Sequence, residues 1–225
     1  QVYDLAPKES ILTSFSILFA NYKGDLKTLV KGAKKIDELK KKQVAEKYSL
    51  PSNFILSLST LEPRKNLRLL LDAAMELFEE GVVENIVLAG RKGWKMNDFL
   101  SGYQREFLKY VYFTGFVDDE DLPAIYKMAK LFVFPSQYEG FGIPPLEAMA
   151  CGTRVVSSDA ASMPEILEGA ATYFKSESID DLKNVLKDEL RSVEENSTCG
   201  ERGMQQAKKF NWRNEAEKLI CFLSE

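Results

Sequence analysis

Histidine is absent from all 225 residues. That excludes Ser/His and Cys/His nucleophile pairs and removes the commonest metal ligand. Cysteine is scarce: Cys151, Cys199 and Cys221 are odd in number and nowhere spaced as CxxC. A disulfide framework or structural zinc is therefore not expected, and a reducing, cytoplasmic setting is. Long apolar runs are missing too. The stretch from Ile11 to Ala20 is broken by Thr13, Ser14 and Ser16, well short of the ~20 residues a membrane helix needs. Lys8-Glu9 gives no positive flank for a signal peptide. Neither GxGxxG nor GxxxxGK[ST] occurs, which argues against a nicotinamide dehydrogenase and a P-loop ATPase. Positive charge is not in excess: the net charge is −4, so nothing points to nucleic acid.

What is present is an ordinary globular composition, 45% hydrophobic and 28% charged, enough for one large domain or two small ones. Residues 1–50 differ from residues 51–225. Lys23 to Lys47 is lysine-dense, with Leu26, Leu29, Val30, Ala33 and Ile36 at helical spacing. It reads as one amphipathic helix or two, carrying either a solvated lysine face or a face that docks on a membrane surface or a partner. From Pro51 onward strands and helices alternate. Phe54–Leu58, Ile86–Gly90, Tyr110–Phe113, Leu131–Pro135, Arg154–Ser157 and Ala171–Phe174 read as strands. Between and after them come helices: one capped by Asn66, one with its acidic first turn starting at Asp118, one opened by Pro144, a short one at Met163–Leu167, and then Asp180–Val193, Glu201–Lys209 and Trp212–Leu223, the last capped by Asn211. The pattern predicts an α/β fold, a Rossmann-like parallel sheet with helices on both faces. Ligands of such sheets sit beyond the carboxyl ends of the strands. The segments Thr60–Lys65, Gly90–Gly93, Gly115–Asp118 and Gln137–Ile143 meet there.

The most telling stretch is EGFGIPPLE, Glu139 to Glu147. Pro144 and Pro145 fit only the first turn of a helix, where no intrahelical N–H is required. The unit is strand, glycine loop and helix N-terminus, with an acid on each side of the loop. Gly140 and Gly142 let the backbone approach a diphosphate, and the amides of Phe141, Gly142 and Ile143 can point at it. A tight turn alone would also account for the glycines. Glu147 suits two vicinal hydroxyls, although an acid in a first helical turn also offsets the helix dipole. Glu139 can hold a sugar hydroxyl or stabilise charge at an anomeric carbon. On the neighbouring loop, adjacent Arg64 and Lys65 offer a fork and a point charge for phosphate oxygens. They also read as a solvated basic pair. A phosphate joined to a polyol is the ligand suggested.

Taken together, LSLSTLEPRKN, VLAGRKGW, the run from FTGFVDD to SMPEI, and the final FNW resemble the C-terminal, donor-binding domain of a family-four (group 1) retaining glycosyltransferase of the GT-B fold. The resemblance spans most of residues 52–213, leaves 1–50 uncovered, and includes the two glutamates separated by seven residues, Glu139 and Glu147. It implies that Glu139 contacts the transferred sugar and that Glu147 binds the ribose. It further implies that Phe141 to Ile143 hold the diphosphate together with Arg64 and Lys65, and that the base lies against Phe116 and Val117. The implied reaction is transfer of a hexose, with mannose from GDP-mannose a first guess and UDP-sugars next. Retention would come from front-face attack assisted by the donor's own phosphate. No cofactor is implied and no metal, since no DxD motif is placed to serve the diphosphate. Three positions depart from the family pattern: Thr60 stands where many members carry Arg, Arg154 replaces a usual proline, and Glu168-Gly169 stands where Gly-Asp is common. Members of this family pair the donor domain with an N-terminal acceptor domain. The expectation is therefore an excised or naturally truncated donor half, inactive by itself, whose acceptors are saccharides or lipid-linked chains near the inner face of a membrane. A nucleotide-sugar epimerase and a non-catalytic docking module remain alternatives.

Overall fold

The computed structural model describes residues 26–60, 62–91, 99–192 and 196–210. The apolar stretch 11–20, residues 92–93 of the segment Gly90–Gly93 and the closing helix after Asn211 lie outside them. Six strands form one parallel sheet: β1 Phe54–Leu58, β2 Asn85–Ala89, β3 Val111–Gly115, β4 Leu131–Phe134, β5 Val155–Ser158 and β6 Thr172–Phe174. Their spatial order is β3-β2-β1-β4-β5-β6. From β1 the chain winds outward through β2 and β3, then returns to β4 on the other side of β1. The direction of winding reverses between β1 and β4, the place where such sheets open a ligand crevice.

The two-residue period of the strands explains the two cores. Phe54, Leu56, Val87, Ala89, Phe132 and Phe134 face one side, while Ile55, Ile86, Leu88, Leu131 and Val133 face the other. The first face is covered by α1 Leu26–Lys35, α2 Glu38–Lys47, α5 Leu122–Met128, α6 Ile143–Ala150 and α9 Asn196–Lys209. The second is covered by α3 Leu67–Glu79, α8 Ile179–Arg191 and the short α4 Arg105–Leu108. The remaining helix, α7 Met163–Leu167, follows β5. Among the described residues no helix is long and apolar enough to cross a membrane.

Several expectations change. Asn66 stands at the N-cap of α3 as expected, but in the left-handed region at φ 52° and with no capping bond from its side chain, because it also ends the 3-10 turn Pro63–Lys65. Asp118 does not open a helix either. Residues 118–121 form a turn and α5 begins at Leu122, with no acid in its first turn. The lysine-dense segment forms two helices, and both join the first layer, α1 packing on α5 and α6 and α2 on α5. Leu26, Leu29, Ala33 and Val44 are buried in the first core. The helix expected from Glu201 starts five residues earlier, at Asn196.

Gly90, just past the end of β2, has the closest approach of any described glycine. Its φ is +135°, and a Cβ there would meet the Ser59 carbonyl oxygen at 2.0 Å. Backbone bonds lace the strand ends on either side: the Ser59 N–H donates to Ala89 at 2.9 Å and the Gly90 N–H to Gly115 at 2.9 Å.

Candidate active site

The loops after β1 and β4 leave toward opposite faces of the sheet, one entering α3 and the other α6. They are nevertheless tied together, because the Gln137 N–H donates to the Arg64 carbonyl at 2.9 Å. That bond places the basic pair beside Glu139. Lys65 Nζ donates to Glu139 Oε1, and Arg64 Nη1 donates to Oε2 at 3.2 Å. Arg64 Nε reaches Glu62 at 3.1 Å. The Lys65 and Glu139 side chains are each only 11% exposed, so this ion pair is shielded from bulk water in a way that surface pairs are not. Lys65 Nζ also lies 5.6 Å from the centroid of the Phe134 ring, a cation–π contact in the same pocket of charge. Of the two basic residues Lys65 is thus drawn out of solvent, while the Arg64 side chain stays about half exposed.

The glycine loop ends at Gly142, whose φ of +80° makes it the N-cap of α6. A Cβ there would also strike the end of the Met163 side chain, at 2.4 Å. At Gly140 a Cβ would meet nothing within 4 Å. The tight-turn explanation therefore serves Gly142 and leaves Gly140 without a structural requirement. Among the described residues the amides of Gly140, Gly142 and Ile143 donate to no partner, as expected for a helix N-terminus available to an anion. Phe141 packs its ring on Phe210, edge to face at 5.5 Å. The Ser162 hydroxyl donates to the Glu139 carbonyl at 3.0 Å and anchors the loop from the far side.

Glu147 lies elsewhere in α6 than its sequence position suggested. It is in the second turn, not the first, so it does not offset the dipole, and it is 8% exposed. Its Oε2 accepts from the buried Tyr126 hydroxyl at 2.9 Å, and Oε1 accepts nothing among the described residues. One oxygen is thus already engaged where both were expected to be offered to hydroxyls. Burial pushes the Glu147 carboxyl above the ordinary carboxylate range, with the Tyr126 bond opposing and the Asp119 charge reinforcing the rise. Tyr126 is not among the residues singled out from the sequence. The signal was there: a buried tyrosine hydroxyl nearly always finds an acceptor.

Beyond β3, Val117 is 5% exposed and Phe116 is 55% exposed. The Arg91 guanidinium lies 4.8 Å from the Phe116 ring centroid. Asp119-Glu120-Asp121 does have DxD spacing, but Asp121 is buried and held by Lys40, Lys47 and Tyr48. Among the described residues no cluster of three metal-ligating side chains occurs. Cys151 is buried, and burial pushes its thiol up to about 12, so it is no nucleophile at neutral pH. Of the departures, Arg154 sits at the opposite, amino end of β5, where it donates to the Glu189 carbonyl and carboxylate, both at 2.7 Å.

The sequence that builds this crevice, with its shielded lysine, neighbouring arginine, open helix amides and two glutamates, is matched by a family model. Residues 35–206 fit the model described as glycosyl transferases group 1. The chain belongs to this family. The match begins inside α1, so the family's own pattern takes in α2, which the motif comparison had left uncovered. The O-antigen chain mannosyltransferase B of Escherichia coli is 38% identical over 178 residues, covering 76% of this chain and 46% of that protein. The serotype-specific mannosyltransferase WbdA of Escherichia coli is 36% identical over 204 residues, covering 84% of this chain and 23% of that one. The chain thus spans less than half the length of these two relatives. Among solved structures, Anabaena Alr3699/HepE in complex with UDP superposes with a TM-score of 0.73 at 19% identity, over 87% of this chain and 55% of that one. The lipopolysaccharide glycosyltransferase WaaG gives 0.67 at 18% identity, over 83% and 51%. The fold is that of the C-terminal half of a GT-B glycosyltransferase.

Proposed function

We propose that this chain is the donor half of a retaining hexosyltransferase and binds a nucleoside diphosphate sugar. The observation that carries the reading is the junction at the point of reversal, where Arg64 and Lys65 converge on Glu139 beside the unpartnered amides that open α6. Two cations and a helix N-terminus fit a diphosphate leaving group, whose negative charge grows as the glycosidic bond breaks. When the donor is absent, Glu139 occupies the cations. When it is present, the phosphate competes for them and the carboxylate turns to the sugar. Glu147 offers Oε1 to the ribose. The amides of Phe141, Gly142 and Ile143 hold the phosphate, and the base lies along Phe116 and Val117.

The names of the two E. coli relatives support mannose as the transferred sugar, and the Anabaena neighbour, solved in complex with UDP, supports a nucleotide ligand. Retention follows from attack on the face the diphosphate leaves. The glycosidic C–O bond breaks, the acceptor oxygen bonds to the anomeric carbon, and its proton passes to the departing phosphate oxygen. No metal enters, because the cations of the site are side chains. The acceptor is bound by a further domain, so the 225 residues bind the donor without transferring it.

Calorimetry with GDP, UDP, GDP-mannose and UDP-glucose tests the reading. At least one should bind, and Lys65→Ala and Glu147→Ala should each weaken it by about 1–3 kcal/mol. Absence of binding by all four ligands would refute the proposal, and sugar transfer by this chain alone would refute its last clause.

A further inference from the structure

The segment leading from β3 to α5 supplies the wall against which the reading above places the nucleobase. Phe116 is 55% exposed and Val117 is 5% exposed. The backbone then turns through residues 118–121. What holds this turn is not β3 alone. Asp121 is 1% exposed, and three donors reach its carboxylate from the segment that precedes the sheet. Lys40 Nζ lies 2.6 Å from Oδ1, Lys47 Nζ 2.6 Å from Oδ2, and the Tyr48 hydroxyl 3.0 Å from Oδ2. The same Tyr48 oxygen accepts from the Asp118 N–H at 3.0 Å, and Lys47 also reaches the Asp118 carboxylate at 2.8 Å. Both ends of the turn are therefore bound to one short stretch of chain.

The choice of chemistry here is informative. In α2 only Val44 is buried, so the helix is attached to α5 chiefly through these charges. An apolar contact of the same size would hold the two helices together at least as firmly, since burying a carboxylate with its counter-ions carries a desolvation cost that mutual attraction barely offsets. What directed bonds add is a fixed geometry. The Tyr48 hydroxyl donates to one end of the turn and accepts from the other, an arrangement that sets both the height and the direction of the backbone leaving Val117.

We infer that Asp121 and Tyr48, with Lys40 and Lys47, are positioning residues for the nucleoside end of the donor site. They touch no donor atom and act by holding residues 116–118 where the base packs. This inference rests on the donor reading above. It predicts a split that a merely structural role would not produce: loosening the turn should weaken nucleoside binding while the diphosphate contacts, on other loops, are unaffected.

The test uses the full chain and titrates UDP, GDP, uridine, guanosine and inorganic diphosphate by calorimetry. Tyr48→Phe should lower affinity for the bound nucleoside and its diphosphate about tenfold, or 1.4 kcal/mol, and leave inorganic diphosphate unchanged. Asp121→Asn should act in the same direction and more strongly. If Asp121→Asn does not fold, Tyr48→Phe alone decides. Lys42→Ala, outside the network, serves as the control. Unchanged nucleoside affinity in Tyr48→Phe would overturn the inference, as would a parallel loss for inorganic diphosphate. Wild-type chain that binds diphosphate but no nucleoside would remove the donor reading itself and the inference with it, a failure recognisable because it appears before any substitution is made.

Discussion

Glu139 and Glu147 are separated by seven residues and live in opposite surroundings. Glu139 is met by two cations, Lys65 and Arg64. Glu147 is met by a single neutral hydroxyl, that of Tyr126, and is almost sealed from water. The first carboxylate is neutralised by charge and the second is raised by burial. On the donor reading proposed above, one residue type is set up for two tasks: a group that exchanges partners when a phosphate arrives, and a fixed acceptor that waits for hydroxyls. The difference shows that the spacing of two acids fixes where they stand, while their neighbours fix what they can do.

The strongest way to break this contrast is Glu139→Ala. It strands the part-buried Lys65 ammonium beside Arg64 and should cost about 3 kcal/mol of stability, read by chemical denaturation. The same change frees both cations, so affinity for inorganic diphosphate should rise rather than fall. A drop in both quantities would contradict the exchange of partners.

Glu147→Gln probes the other side. The folded chain holds this proton more tightly than the unfolded chain, because burial raises the carboxyl. Stability contributed by the group therefore falls as pH rises from the ordinary carboxylate range through the raised value. The glutamine variant should melt above the wild type at neutral pH, and the two should converge in acid. A melting difference independent of pH would count against the burial argument.

Tyr126→Phe removes the hydroxyl's bond to the Glu147 carboxylate and should cost about 1.5 kcal/mol, with nucleotide affinity lowered by a comparable amount and inorganic diphosphate affinity untouched. The smallest effect on the fold belongs to Gly140→Ala. Nothing lies within 4 Å of the added Cβ, so stability should change by less than about 0.5 kcal/mol. If a diphosphate approaches this backbone, its affinity should nonetheless fall. Unaltered binding would leave Gly140 without a role.

The sheet was legible because its strands are apolar on both faces and separated by turn residues. Phe54–Leu58 reproduces its expected bounds, and Leu131–Phe134 is buried throughout. Arg64, Lys65, Glu139 and the glycine loop were legible as neighbours, since a parallel sheet collects its loops at one edge. Less was legible where side chains choose among partners. Nothing in the letters EPRKN says that the lysine will seek Glu139 rather than water, or that Asn66 will open its helix from a left-handed turn without a side-chain cap. The lysines near residue 40 illustrate the same limit. Composition gives a basic face, but which of its charges turn inward depends on Asp121, some eighty positions later.

Gly90 carries a last consequence. A methyl group there would overlap the carbonyl of Ser59 at 2.0 Å, so position 90 should be closed to every replacement in a mutational scan, including the mildest. The spacing between adjoining strand tips is thereby locked by an atom that is not there. Any change in the loops carried on those tips must leave the gauge of the track beneath them intact.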